Sequence, residues 1–269
     1  MSLLEKTKFL LRKHRIFPNK LLGQNFMVEP SVLQSAINYA SIVLSDVVLD
    51  IGAGFGFLTR ALASKCEAVL AVEADAKLVK TMHEQLKDLS NVKIIQGDAL
   101  RVPIPHFNKI VSIPPYNISS PLLLWLFSQK FDCAVLVLQK EFANRLVASV
   151  GSEYYGWLAV VTYYHVEVDV LDDVPKWMFY PQPEVDSVIV RLRPKKLPPF
   201  KIKNEALFKQ FVQSLFTRRN RKVRNAIVPF IQSRRASDAK IAESLLFRDK
   251  RVRELSPEDF GALFNEAIE

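Results

Sequence analysis

Val47-Val48-Leu49-Asp50-Ile51-Gly52-Ala53-Gly54-Phe55-Gly56 is the stretch that decides the fold. Its first five residues form a short apolar run that reads as a buried strand. The three glycines that follow let the backbone turn sharply and come close to a ligand. Leu58–Ser64 then carries a helical pattern, and the alternation repeats outward. Ala68–Val72, Val92–Ile95, Lys109–Ile113 and Cys133–Leu138 read as further buried strands, with helical patterns among them at Lys77–Leu86, Pro121–Phe127 and Glu141–Ser149. Ser120 before Pro121 predicts a helix start, an N-cap followed by proline at the first helical position. Strands and helices alternating at this spacing predict an α/β fold with a parallel, doubly wound sheet, whose ligands lie beyond the carboxyl ends of the strands.

Leu158–Val168 and Ser187–Leu192 have no convincing helix between them and predict an antiparallel pair closing one sheet edge. Lys195-Lys196-Leu197-Pro198-Pro199 reads as a linker. Beyond it the pattern turns helical at Glu205–Phe216, Lys222–Ile231, Asp238–Leu245 and Pro257–Ile268, the last opened by the capped start Leu255-Ser256-Pro257-Glu258-Asp259. The reading is a basic arm over residues 1–19, a sheet domain over 20–193 and a small all-helical domain over 194–269.

The glycine loop departs from the dinucleotide fingerprint, which wants glycine where Phe57 stands. A dehydrogenase is therefore the weaker alternative. S-adenosylmethionine has no phosphate and needs no anion cradle. Glu73 ends the second strand about 20 residues on, the place for a carboxylate that grips ribose hydroxyls. Asp98, in Gly97-Asp98-Ala99-Leu100, ends the third strand and suits the amino hydrogen of an adenine ring. Either acid alone reads equally well as a helix cap or a turn residue. Acids at three successive strand ends, in order, favour a pocket.

Val111-Ser112-Ile113-Pro114-Pro115-Tyr116-Asn117 places a proline pair and an aromatic ring at the exit of another strand. Prolines donate no hydrogen bond, so the peptide carbonyls of the run are left as acceptors. A tyrosine face beside them can stack an everted base. Carbonyl acceptors and a ring suit the exocyclic amine of a nucleobase.

Composition narrows the class. With 269 residues, 49% of them hydrophobic, the chain has enough apolar material for one large domain, or a medium one plus a small one. No apolar run is as long as a bilayer span, and the start lacks the apolar core of a signal peptide. No membrane is therefore expected, two scattered cysteines argue against a metal, and a monomer is the default. Cys66 and Cys133 lie far apart inside apolar runs and read as buried thiols, as suits a reducing cytoplasm. The net charge is +9, unevenly spread: residues 1–22 carry +5, residues 23–193 carry −4, and residues 194–269 carry +8. Two basic ends around an acidic middle predict a polyanion as partner.

With these residues in view, the chain resembles the small-subunit rRNA adenine N6-dimethyltransferases of the KsgA type. The likeness is carried by Lys20-Leu21-Leu22-Gly23-Gln24-Asn25-Phe26, Leu138-Gln139-Lys140-Glu141, Asn144-Arg145-Leu146-Val147-Ala148, Tyr155-Gly156, Phe179-Tyr180-Pro181-Gln182-Pro183, Val185-Asp186-Ser187 and the basic run Phe216–Lys222. These motifs run in order through nearly the whole chain. Arg15–Asn19 and Ser119-Ser120-Pro121 look more archaeal than bacterial. The resemblance implies a Rossmann-like methyltransferase sheet followed by a helical RNA-binding domain. It implies S-adenosylmethionine-dependent dimethylation of N6 on two adjacent adenosines, in the 3′-terminal hairpin loop of small-subunit rRNA during ribosome biogenesis.

Carried over residue by residue, the cofactor contacts are Asn25, Met27, Gly52, Gly54, Glu73, Asp98, Ala99 and Ile113. The catalytic set is Ile113, Pro114, Pro115, Tyr116 and Phe179, with Tyr116 and Phe179 sandwiching the target adenine. Phe179 is expected on a rigid exposed loop, because Pro181 and Pro183 follow it. Arg218, Arg219, Arg221, Lys222 and Arg224 would grip RNA phosphates. One position departs from the pattern: the family's side-chain acceptor, an Asn, is replaced by Ile113. Three outcomes are open. The carbonyls of Ile113 and Pro114 suffice, Ser112 substitutes, or the chain is a catalytically weak assembly factor that binds rRNA and cofactor. A DNA or small-molecule methyltransferase is a further alternative, disfavoured by the basic helical segment.

Overall fold

The structure is a computed structural model that describes residues 1–19, 22–232 and 245–268. Along the chain run α1 (Leu3–Lys13), β1 (Phe26–Met27), α2 (Pro30–Tyr39), β2 (Val47–Ile51), α3 (Phe57–Ala63), β3 (Ala68–Glu73), α4 (Ala76–Leu86), β4 (Val92–Gln96) and β5 (Lys109–Ser112). They are followed by α5 (Ser119–Leu126), β6 (Cys133–Gln139), α6 (Lys140–Leu146), α7 (Trp157–His165), β7 (Val166–Val174), β8 (Phe179–Tyr180) and β9 (Ser187–Pro194). Next come α8 (Glu205–Phe216), α9 (Val223–Ala226), α10 (Val228–Gln232) and α11 (Pro257–Ile268).

Seven strands form one sheet in the order β4-β3-β2-β5-β6-β9-β7. β4, β3, β2, β5 and β6 run parallel, and β9 joins β6 antiparallel from Ala134↔Leu192 to Gln139↔Ser187. The strand order reverses between β2 and β5. In a sheet of this kind a ligand crevice opens there, at the carboxyl ends. The central strands are near-continuous apolar runs because helices cover both faces. Val48, Leu49, Ile110, Val111, Val135 and Val137 are wholly buried.

The chain divides into two compact units. One comprises residues 1–143 and 168–194, the other residues 144–167 and 195–269. The segment 144–167 thus groups with the chain beyond the linker, not with the sheet. The core of the second unit is rich in phenylalanine: Phe208, Phe211, Phe260 and Phe264 are fully buried, and Phe264 packs edge to face against Phe208 and Phe211.

Several expectations need correction. Leu158–His165 is helix, not strand; β7 begins only at Val166. Leu158 to Thr162 and Tyr164 are all buried, and a helix that is apolar all round shows no 3.6-residue period to betray it. Ser120 does not cap α5. A 3-10 turn over Tyr116–Ile118 feeds straight into Ser119, whose hydroxyl donates to the Tyr116 carbonyl at 2.9 Å. The helix expected over Lys222–Ile231 is two short ones that meet at Ile227. The N-terminal arm is a capped helix that buries Leu10 and Leu11, with Ile16 beyond its end, against Phe26, Phe55 and Leu78. The helix expected from Asp238 falls at 238–244 outside the described residues. At Ser256 the expected cap is present: its hydroxyl accepts the Asp259 amide, and the Asp259 carboxylate accepts the Ser256 amide.

Candidate active site

Four strand exits, those of β2, β3, β4 and β5, and one N-terminal segment enclose a cavity of about 270 Å³. The glycine loop after β2 forms its floor. Gly52 has φ +73°, and a Cβ there would stand 2.7 Å from Cδ of Pro115, so this loop and the exit of β5 touch through a position only glycine fills without strain. Ser112, the last residue of β5, fixes the same junction from below. Its hydroxyl accepts the Ile51 amide at 3.0 Å and donates to the Ile51 carbonyl at 2.5 Å. It is therefore committed to backbone and does not substitute as an acceptor in the cavity.

Glu73 ends β3 on the cavity wall. Its two oxygens accept the Gly54 and Asp75 amides, both at 2.9 Å. Burial pushes the carboxyl above its ordinary range, and those two amides pull it partly back. Asp50 lies deeper, 2% exposed, with its carboxylate accepting the Thr59 hydroxyl at 2.7 Å. Burial, with the charge of Glu73 adding to it, pushes Asp50 up to about 7. Asp98 follows β4, accepts the Leu100 amide at 3.0 Å and pairs with Arg101 at 3.3 Å.

Asn25, Gly52, Gly54, Glu73, Asp98, Ala99, Ile113, Pro114, Pro115, Tyr116 and Phe179 all line this cavity. Met27 does not. It packs into the sheet core and reaches only a smaller neighbouring pocket. Phe179 is not on an exposed loop: β8 pairs with β1 through Met27↔Phe179, which leaves the ring 2% exposed. Tyr116 and Phe179 meet edge to face, with centroids 6.2 Å apart and planes at 73°. A parallel slot for a base is not formed in this state. Tyr116 is steadied by a hydrogen bond of its hydroxyl with that of Ser187, and burial pushes it up to about 12.

Sequence reasoning missed Gln24 and Asn117 as wall residues, although both lie inside quoted motifs. Gln24 accepts the Asn19 amide at 2.8 Å and donates to Asp75 at 2.9 Å, tying the N-terminal segment to the loop after β3. The polar pairing of Gln24 with an acid 51 residues away leaves no local signal.

The donor set decides between cofactor classes. Among the described residues no lysine, arginine or histidine lines the cavity. A dinucleotide's phosphates would find no counter-charge there. A cationic sulfonium compound with ribose hydroxyls instead meets Glu73 and Asp98, and the residues fit S-adenosylmethionine.

Residues 17–269 match the protein family described as ribosomal RNA adenine dimethylase. The chain belongs to that family. It is 39% identical to "Probable ribosomal RNA small subunit methyltransferase A" of Methanosarcina barkeri, over 97% of this chain and 91% of that protein. It is 36% identical to the protein of the same name from Pyrococcus abyssi, over 93% and 92%. Among solved structures it resembles a dimethyladenosine transferase from Plasmodium falciparum, with TM-score 0.77, 28% identity and coverage of 90% of this chain and 98% of that one. It also resembles the 23S rRNA methyltransferase ErmE, with TM-score 0.69, 25% identity and coverage of 91% and 100%. As an rRNA adenine dimethylase the protein is a methyltransferase with a Rossmann-like sheet, and its family uses S-adenosylmethionine. The archaeal likeness is matched by archaeal relatives.

The basic run in the second unit of this dimethylase is not uniform. Arg219 donates to the carbonyls of Glu153 and Ser152, both at 2.9 Å. Lys222 and Arg224 pair with Asp249 at 3.2 and 2.8 Å. Arg218 and Arg221 are exposed.

Proposed function

We propose that this chain transfers methyl groups from S-adenosylmethionine to N6 of two adjacent adenosines in the 3′-terminal hairpin loop of small-subunit rRNA. It would act as a monomer, in the cytoplasm, on immature small subunits. The observation that carries this reading is the direct contact of the glycine loop with Pro115. It sets the cofactor wall of Gly52, Gly54, Glu73 and Asp98 against the Ile113-Pro114-Pro115-Tyr116 exit in one cavity.

When bound, the cofactor supplies an electrophilic methyl group on sulfur. The chain's own residues do the rest. Glu73 and Asp98 would accept hydrogen bonds from its ribose and adenine, and Asn25 and Ala99 would flank it. The adenine amine is a weak nucleophile because its lone pair is delocalised into the ring. A carbonyl at Pro114 accepting an N–H would help localise that pair. No side chain with a tuned pKa is needed, since the proton can leave after the methyl arrives. The remaining contribution is alignment of nitrogen, methyl carbon and sulfur.

Tyr116 would stack on the everted base, and Phe179 would close the other side after the two rings part. A loop adenosine is cheaply unstacked, which suits this demand. Arg218, Arg219, Arg221, Lys222 and Arg224 would hold the phosphates. The named relatives give the binding-only alternative no specific support.

The test is labelled-methyl incorporation into small subunits that lack the modification, with duplex DNA as competitor. Incorporation confined to the 3′-terminal hairpin and indifferent to DNA is expected. No incorporation, or efficient competition by DNA, would overturn the reading.

A further inference from the structure

The exit of β5 offers an incoming amine two unequal neighbours. Ile113 lines both the main cavity and the smaller pocket beside it, and it packs partly buried against the sheet core. Pro114 lines the cavity next to it. Among the described residues no hydrogen-bond donor reaches the Pro114 carbonyl, whereas the Pro115 carbonyl takes the Ile118 amide at 3.2 Å. Several polar side chains around them are already engaged. Gln24 bridges Asn19 and Asp75, Tyr116 engages Ser187, and Glu73 and Asp98 stand on the wall proposed for the cofactor. Asn25 donates to the Gly23 carbonyl, and Ser112 is turned onto Ile51. At this exit an amine thus meets the open Pro114 carbonyl and the aliphatic side chain of Ile113.

We infer that this asymmetry selects the methyl acceptor: N6-monomethyladenosine is a better substrate here than unmodified adenosine, with Ile113 as the specificity-determining residue. The inference rests on the function proposed above. An unmodified amine has two N–H groups. One can donate to the carbonyl, but the other faces isoleucine, which accepts nothing, and a desolvated donor without a partner is costly. A monomethylated amine gives its single N–H to the carbonyl and lays its methyl group against Ile113. In either transfer the nitrogen lone pair forms the new bond to the methyl carbon, the carbon–sulfur electron pair stays with sulfur, and the proton leaves nitrogen for solvent. The two steps balance identically and differ in what faces Ile113. The first transfer is then the slow one, and the monomethyl species does not accumulate.

Two batches of small subunits, reconstituted from rRNA carrying either adenosine or N6-methyladenosine at the target position, test this with the full chain and labelled S-adenosylmethionine under single-turnover conditions. The premethylated subunits are expected to take label about tenfold faster or more, in keeping with the loss of one acceptor. Ile113→Asn should abolish or reverse that ratio. Ile113→Val should retain it, which keeps the comparison decisive if the Asn variant folds poorly. Equal rates in the parent, or a faster rate on adenosine, overturn the inference and leave the function intact. No label in either batch, from parent or variants, overturns the function itself and the inference with it.

Discussion

At the scale of residues, burial raises two carboxyl groups, Glu73 on the cavity wall and Asp50 deeper in the fold, with different consequences. Glu73 has both oxygens on backbone amides and still faces the cavity, so it can grip hydroxyls without reorganising. Glu73→Ala should weaken cofactor binding by about tenfold or more, the worth of a hydrogen bond to a charged group, as read by titration calorimetry. Asp50 has only the Thr59 hydroxyl and carries a folded-state pKa of about 7 against an ordinary value of 3.8. Below the ordinary value both folded and unfolded chains hold the proton. As pH rises toward 7 the unfolded chain releases it first, so the stability that the protonated group contributes is progressively lost. Asp50→Asn keeps an acceptor for Thr59 and removes this titration. Its melting temperature relative to the parent should therefore rise between pH 4 and pH 8 and level off beyond; a difference constant with pH would refute the assignment. The residue scale is also where the sequence was most readable, since Gly52, Glu73, Asp98 and the Ile113–Tyr116 run stand at strand exits. Met27 was not readable, because nothing in a two-residue strand tells which face of a thin wall a side chain takes.

At the scale of elements, the site is held by a clasp between β2 and β5. Ser112 reaches across to both the amide and the carbonyl of Ile51, so two of the loops that line the cavity leave the sheet at a fixed separation. Ser112→Ala would leave a buried amide short of a partner, costing about 1–3 kcal/mol in urea unfolding, and should weaken cofactor binding as well. In the second unit, Asn204 caps α8 by accepting the Leu207 amide at 2.9 Å. Asn204→Ala should cost about 1 kcal/mol there and leave cofactor affinity unchanged. The parallel strands and α8 were legible because their apolar runs and periods are strong and local. Helix α7 was hidden by its uniform burial. The β1–β8 pair, which buries Phe179, joins residues about 150 positions apart and leaves no periodic trace in two residues.

At the scale of the whole molecule, the excess positive charge lies toward the two chain ends, and the residues that form the sheet are mildly acidic. That distribution favours a polyanion, but folding withdraws part of it. Lys13 pairs with Glu84, and Lys222 and Arg224 share Asp249, while Arg219 is spent on backbone carbonyls. Arg218 and Arg221 are the arginines of the basic run best placed to meet phosphate. Replacing both by alanine should lower the slope of log affinity for rRNA against log salt by about 1.4–1.8, and Arg219→Ala should lower stability more than that slope. A basic run in sequence thus shows that charge is present, not which charges are free, because the pairing acid lies about 25 residues away. The central claim is that one cavity receives both the methyl donor and the adenine amine. A crystal structure with S-adenosylhomocysteine and adenosine measures this directly. The account predicts the cofactor along Gly52, Gly54, Glu73 and Asp98, with the amine at the Pro114 carbonyl and the base on Tyr116. Either ligand bound elsewhere, or the cavity closed by side chains, would contradict it.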